Sequence, residues 1–148
     1  MIKKKTRVLS LLFTACGFIS CQTAVGVLLP ERPNSLSEIH RAIGIISGRP
    51  RSVSRNDREI LSEYFGRKIG AAFDPKTAPE RLYAHFWILG DSRPYDIRVQ
   101  VISERKINGE YSVVGEDVVI SQRVANELNA RLVQGQDGSN VIDSFRPF

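Results

Sequence analysis

Two histidines, His40 and His85, are the first residues to weigh for chemistry, because imidazole is a common metal ligand and the usual general base near neutral pH. They stand far apart in the chain, neither has a second histidine at i+3 or i+4, and no cysteine follows Cys21. A metal site would therefore have to be assembled from scattered carboxylates, and neither metal nor cofactor is expected. His40 reads as bordering a helical apolar stripe and His85 as packing within an aromatic strand. Ser, His and Asp are all present, but no G-x-S-x-G elbow occurs, and no catalytic residue is assigned. The glycines lack the G-x-G-x-x-G or G-x-x-x-x-G-K spacing that turns backbone amides onto a phosphate. The one charge cluster is Arg41, Arg49, Arg51, Arg55 and Arg58. Arginine forks grip phosphate at two points, so these five are candidates for contact with an anionic surface; the plainer reading is a solvated corner helped by Asp57 and Glu59.

The remaining reactive side chains are the two thiols. Met1 to Arg7 is a positive segment, and Val8 to Ser20 is an uncharged run of the length of a signal-peptide core, short for a membrane span. It ends in Phe18-Ile19-Ser20-Cys21, apolar residues, a small residue and then cysteine. This resembles the lipobox of bacterial lipoprotein precursors. The resemblance implies cleavage before Cys21, a thioether-linked diacylglyceryl group on its sulfur and acylation of the new amine. Two or three acyl chains, at about 0.8 kcal/mol per buried CH₂, anchor stably where one is marginal. Cys16, after Thr14-Ala15, is the alternative lipidation site, with a shorter apolar run before it. In the same family Asp after the cysteine retains the protein in the inner membrane; Gln22 therefore implies a periplasm-facing lipoprotein of the outer membrane. Ordinary cleaved secretion into the periplasm, and an uncleaved inner-membrane anchor running from Val8 to Leu29, are the other readings of this segment.

The elements that must position these groups follow from periodicity. Residues 1–20 read as signal peptide, 21–34 as lipidated N-terminus and proline-bearing tether, and 35–148 as one domain with a short C-terminal tail. Ser35 and Glu38 have capping-box spacing, Leu36, Ile39, Ile43 and Ile46 share a helical face, and Gly48 with Pro50 ends that helix. Ser54 and Asp57 repeat the start signal before Ile60, Leu61, Tyr64 and Phe65, which predicts a second helix. The period then changes to two. Arg81–Leu89 and Tyr95–Ile107 read as strands, and Asn108-Gly109 as a type I′ hairpin turn into Glu110–Val114. For residues 81–89 a helix started by Thr77, Pro79 and Glu80 and stopped by Gly90 is the alternative. Asp117 caps a last helix on which Ile120, Val124, Leu128 and Leu132 recur and which Gly135 closes. The expected fold is α+β: two N-terminal helices, a three-stranded antiparallel meander and a C-terminal helix packed on the sheet. Phe145 and Phe148, with Val141 and Ile142, make the tail apolar enough to be a docking element for a partner or for the domain itself.

Composition narrows the function. The 148 residues are 42% hydrophobic and 25% charged with a formal charge of +5, but Lys3, Lys4, Lys5 and Arg7 belong to the leader. What remains is nearly neutral, so no nucleic-acid partner is expected. Two helices before a three-stranded sheet, after a lipidated cysteine, are similar to the small lipoprotein subunit of the outer-membrane barrel-assembly machine, over roughly Ser35 to Val114. The expectation is a non-enzymatic cell-envelope lipoprotein, held at the membrane by its N-terminal lipid and binding or bracing an envelope protein. A periplasmic small-ligand-binding or hydrolytic domain, with the aromatic strand as pocket wall, is the alternative.

Overall fold

The computed structural model describes residues 25–68 and 72–139. The chain runs β1 (Val27–Arg32), α1 (Leu36–Ser47), β2 (Pro50–Val53), β3 (Glu59–Ser62), β4 (Glu80–Leu89), β5 (Tyr95–Ile107), β6 (Glu110–Glu116) and α2 (Val118–Ser139). Six strands form one antiparallel sheet in the order β1-β5-β4-β3-β2, with β6 also paired to β5. This overturns the expected three-stranded meander led by two helices, although the class is still α+β. The likeness to the barrel-assembly lipoprotein rested on those two leading helices and loses its architectural basis.

Three local causes produce the larger sheet. Val27-Leu28-Leu29 pairs with Val99-Arg98-Ile97 of β5, so the sheet begins at Val27, inside the stretch expected to be tether, and residues 27–29 are strand. Pro30 is tolerated because β1 is an edge strand with a register shift between Leu29 and Arg32, where Glu31 takes φ 53°. The second expected helix is instead the β2–β3 hairpin. Ser54 does not cap a helix; its hydroxyl accepts the amides of Arg58 and Glu59 and donates to Asn56 Oδ1, closing a tight turn in which Asp57 has φ 57°. Finally, β5 is long enough to share one edge between two partners, β1 along its first half and β6 along its second.

The other elements follow the sequence signals. Ser35 and Glu38 exchange both bonds of a capping box and Gly48 closes α1 at φ 73°. β4 and β5 pair over ten positions, Glu80 with Arg105 through Leu89 with Asp96. Asn108 and Gly109 sit at φ 52° and 92° between Ile107 and Glu110, as a type I′ turn requires. Asp117 Oδ1 accepts from the Ile120 amide 3.0 Å away, but Gly135 does not close α2 as expected: the helix runs through it to Ser139, since a glycine inside a helix only weakens it.

The core lies on one face of the sheet. Leu82, Ala84, Phe86 and Ile88 of β4 and Ile97, Val99 and Val101 of β5 alternate onto it and are buried against Ile39 and Ile43 of α1 and Ile120, Ala125, Leu128 and Leu132 of α2. α1 packs on α2, and α2 on β5 and β1. Burying these side chains at roughly 1.5–3 kcal/mol each is the main force that fixes the register of both central strands.

Candidate functional site

The intervening residues of the same strands face the other way, and no described helix packs on them. β4 presents Arg81, Tyr83, His85 and Trp87, all half-buried by their neighbours rather than covered. Opposite them β5 presents Glu104, Ile102, Gln100 and Arg98. Tyr64, just beyond β3, turns onto the same surface and meets Tyr83 edge to face at a centroid distance of 5.8 Å.

Arginines are interleaved with these rings. The Arg51 guanidinium lies 4.1 Å from the Tyr64 ring centre and 4.9 Å from that of Tyr83. Arg81 lies 3.9 Å from Tyr64 and 3.6 Å from Tyr111. The result is a row of stacked side chains, Tyr111, Arg81, Tyr64, Arg51 and Tyr83, in which a flat cation sits on a ring face and keeps the N–H groups at its edge for other acceptors. Arg81 spends one on Glu104, its register partner, at 2.7 Å, and another on the Pro75 carbonyl at 3.3 Å. Arg51 makes no ion pair among the described residues. Burial and the nearby Glu104 carboxylate push the Tyr83 phenol above its ordinary range, so it stays a neutral hydrogen-bond donor.

Beside the row, His85 Nε2 is 2.6 Å from Glu59 Oε1 and its ring stacks on Trp87 at 3.6 Å. Burial lowers the imidazole's pKa and outweighs the carboxylate, which raises it, so His85 is neutral at pH 7. A histidine oriented by a carboxylate is half of a hydrolytic triad, but its hydrogen bond here is to Glu59, with no hydroxyl or thiol nucleophile joined to it among the described residues. Ser103 and Lys106 have the S-x-x-K spacing of another nucleophile pair. On a strand, positions three apart point to opposite faces; Ser103 donates to Glu80 Oε1 on the core side, and Lys106 Nζ donates to the Lys76 carbonyl.

The five arginines singled out in the sequence are dispersed. Only Arg51 joins the aromatic face. Arg58 is a brace: its guanidinium donates to the Gly90 and Asp91 carbonyls and lies 5.3 Å from the Tyr95 ring centre. Arg41 lines a hollow of about 450 Å³ between the ends of α1 and α2, while Arg49 and Arg55 are exposed around the β2–β3 hairpin. The five therefore have different surroundings, Arg58 being spent within the fold. His40 Nε2 bonds the Asp57 carbonyl at 2.7 Å and ties α1 to the hairpin turn. Among the described residues no three His, Cys, Asp or Glu side chains gather as a metal site. Cys16, Cys21, Phe145 and Phe148 lie outside the described residues.

Tyr64, Tyr83, Tyr111 and Arg81 were not picked out from the sequence. The signal available was the alternation of β4, which puts Arg81, Tyr83, His85 and Trp87 on one side; Tyr64 was hidden by the helical reading of residues 54–65. Comparison with protein-family models, curated proteins and solved structures finds no significant match.

Proposed function

We propose that this chain is a non-enzymatic lipoprotein of the cell envelope, anchored through Cys21 in the outer membrane and facing the periplasm, whose open sheet face docks an acidic segment of a partner protein. The observation that supports this most is the stacked row on that face. Tyrosine and arginine dominate the centres of protein interfaces because they bring large, rigid, amphipathic area at low ordering cost. Arg51, held between two rings without a carboxylate of its own among the described residues, matches a partner's Asp or Glu. Docking is assigned to the face because two of the sheet's edge strands suit strand addition poorly: β2 has Pro50, which offers no amide, and a register slip between Pro50 and Ser52, and β1 carries Pro30 and a slip of its own. The hollows around α1, α2 and β6 include neither His85 nor Trp87, so they give no support to the alternative of an aromatic-walled ligand pocket.

The test is site-specific photo-crosslinking in cells with the full-length protein. A photoreactive residue at position 83 is expected to give one discrete adduct in the membrane fraction, identified by mass spectrometry, and Arg51→Glu is expected to abolish it without changing membrane association. The same residue at Gln122, on the exposed side of α2, is the control. An adduct from position 122 alone, or one from 83 that is indifferent to Arg51→Glu, would refute the docking face.

A further inference from the structure

The sheet fixes where the N-terminal segment leaves the domain. Val27 and Leu28 pair with Val99 and Arg98, so by register Gly26 and Val25 would continue opposite Gln100 and Val101. They cannot continue as a strand. The Asp117 amide already takes the Val101 carbonyl at 2.9 Å, and β6 occupies β5 from Ile102 onward. Gly26 turns away at φ 86°, where a Cβ would lie 2.9 Å from the Val99 carbonyl oxygen, and its amide is held by Glu116 Oε2 at 3.1 Å. The chain therefore emerges beside the junction of β6 and α2.

Exposed valines stand in and next to the segments that meet at that junction. Val25 is 53% exposed, Val114 54%, Val118 65% and Val119 78%. Val114, Val118 and Val119 line one hollow together with Arg67 and Arg105 and the carboxylates of Glu80, Glu116 and Asp117, and Val118 and Val119 line the next with Arg123. α2 begins with two valines that its core-facing stripe, starting at Ile120, does not use. From Cys21 to Gly26 is five residues, about 18 Å when fully extended.

We propose that this valine patch rests on the bilayer: the apolar side chains enter the headgroup boundary and Arg105 and Arg123 meet lipid phosphates. The inference rests on the reading of Cys21 as the lipidated residue, because a tether that short, ending at this corner, holds the patch at the membrane surface. Arg67 is spent on Glu80 and Asp117 within the hollow, which leaves Arg105 and Arg123 beside the exposed valines for lipid phosphate. It also sets the orientation. β2 lies at the opposite edge of the sheet, four strand spacings or about 19 Å away, and the aromatic face stands roughly upright between the two.

The experiment uses the full-length lipoprotein, purified from membranes and reconstituted in vesicles of phosphatidylethanolamine and phosphatidylglycerol at 3:1. With the leader removed and the Cys21 sulfur in a thioether, an introduced cysteine is the single free thiol. Val119→Cys and, at the far edge, Val53→Cys each carry an environment-sensitive fluorophore, with a spin-labelled acyl chain as quencher. Quenching at 119 is expected to exceed that at 53 by about threefold or more. Equal quenching at the two positions, or none at either in protein that floats with the vesicles and carries lipid by mass, would overturn the membrane contact and leave the anchor standing. Protein that neither carries lipid nor floats would remove the anchor and this inference with it. Both sites are exposed, so melting temperatures matched to wild type confirm that the labelled chains are folded.

Discussion

At the scale of single residues, the same arginine chemistry is used in two ways. Arg58 donates to two turn carbonyls and is part of the fold, whereas Arg51 is stacked and available. Exposed cation–π contacts contribute about 0.5–1 kcal/mol, so Arg51→Ala should lower stability by no more than about 1 kcal/mol in a denaturant titration. Partner affinity should fall much further, by roughly tenfold or more, as for an interfacial arginine at a hot spot. Arg51→Lys should fall nearly as far, since an ammonium stacks and forks poorly. His85 carries a second prediction. Its folded pKa is depressed below the ordinary value of about 6.5, chiefly by burial, so the unfolded chain binds the proton more readily. Stability should therefore decline as pH falls from 6.5 through the depressed folded value, and stop declining on this account below it. The window is separate from that of Glu38 and Glu80, whose pKa values are held below 4.5 by hydrogen bonds to Ser35 and to Arg67 and whose loss comes at lower pH. Melting curves of wild type and His85→Gln between pH 7 and 5 check it: the variant should show the flatter profile.

At the scale of elements, the shared edge of β5 poses a hydrogen-bonding problem that α2 solves. Between the end of β1 pairing and the start of β6 pairing, Val101 has no strand opposite it. Its carbonyl is taken by the Asp117 amide and its N–H by the Ser121 hydroxyl at 2.8 Å, in a buried setting. Ser121→Ala would leave that N–H unsatisfied, which costs about 1–3 kcal/mol. Thermal unfolding should show this loss, and Ser112→Ala on exposed β6 should show almost none. The Asn108-Gly109 turn gives the companion test: valine at both positions forces β-branched residues into positive φ, at roughly 1–2 kcal/mol each. An unchanged melting temperature would contradict the turn geometry. What the sequence made legible divides along the same lines. α1, α2, β4, β5 and the Asn-Gly turn were readable because each is long or carries an unambiguous cap or turn signal. β1 and β3 were not. Pro30 marks a tether and an edge-strand bulge equally well, and Ser54 with Asp57 offers the same oxygen chemistry to a helix cap and to a tight turn. Four residues of β3, with Ile60 and Ser62 inward and Leu61 outward, are too few to separate a period of two from 3.6. The candidate face was half legible for this reason, since it needs the β3 that the helical reading removed.

At the scale of the whole molecule, one sheet separates two tasks. Its covered face supplies the core, and its other face carries the stacked row for which a docking partner is proposed. The edge formed by β1 and β6 is where the N-terminal segment joins the sheet, because Gly26 turns away from β5 there. A tether expected to run to Asn34 would have let the domain swing well away from the membrane. With Gly26 held by Glu116, the proposed tether from Cys21 spans five residues, a reach of about 18 Å. The consequence is tested on the lipid itself. Mass spectrometry of the mature chain should find its N-terminus at Cys21 with a diacylglyceryl thioether and an acylated amine. Cys21→Ser removes the acceptor sulfur, so it should yield uncut precursor or soluble protein, while Cys16→Ser, altering only the leader, should leave mass and fractionation unchanged. A mature N-terminus at Cys16 would double the tether to about 36 Å, enough for the domain to lift from the surface, and would replace a fixed orientation by a range of them.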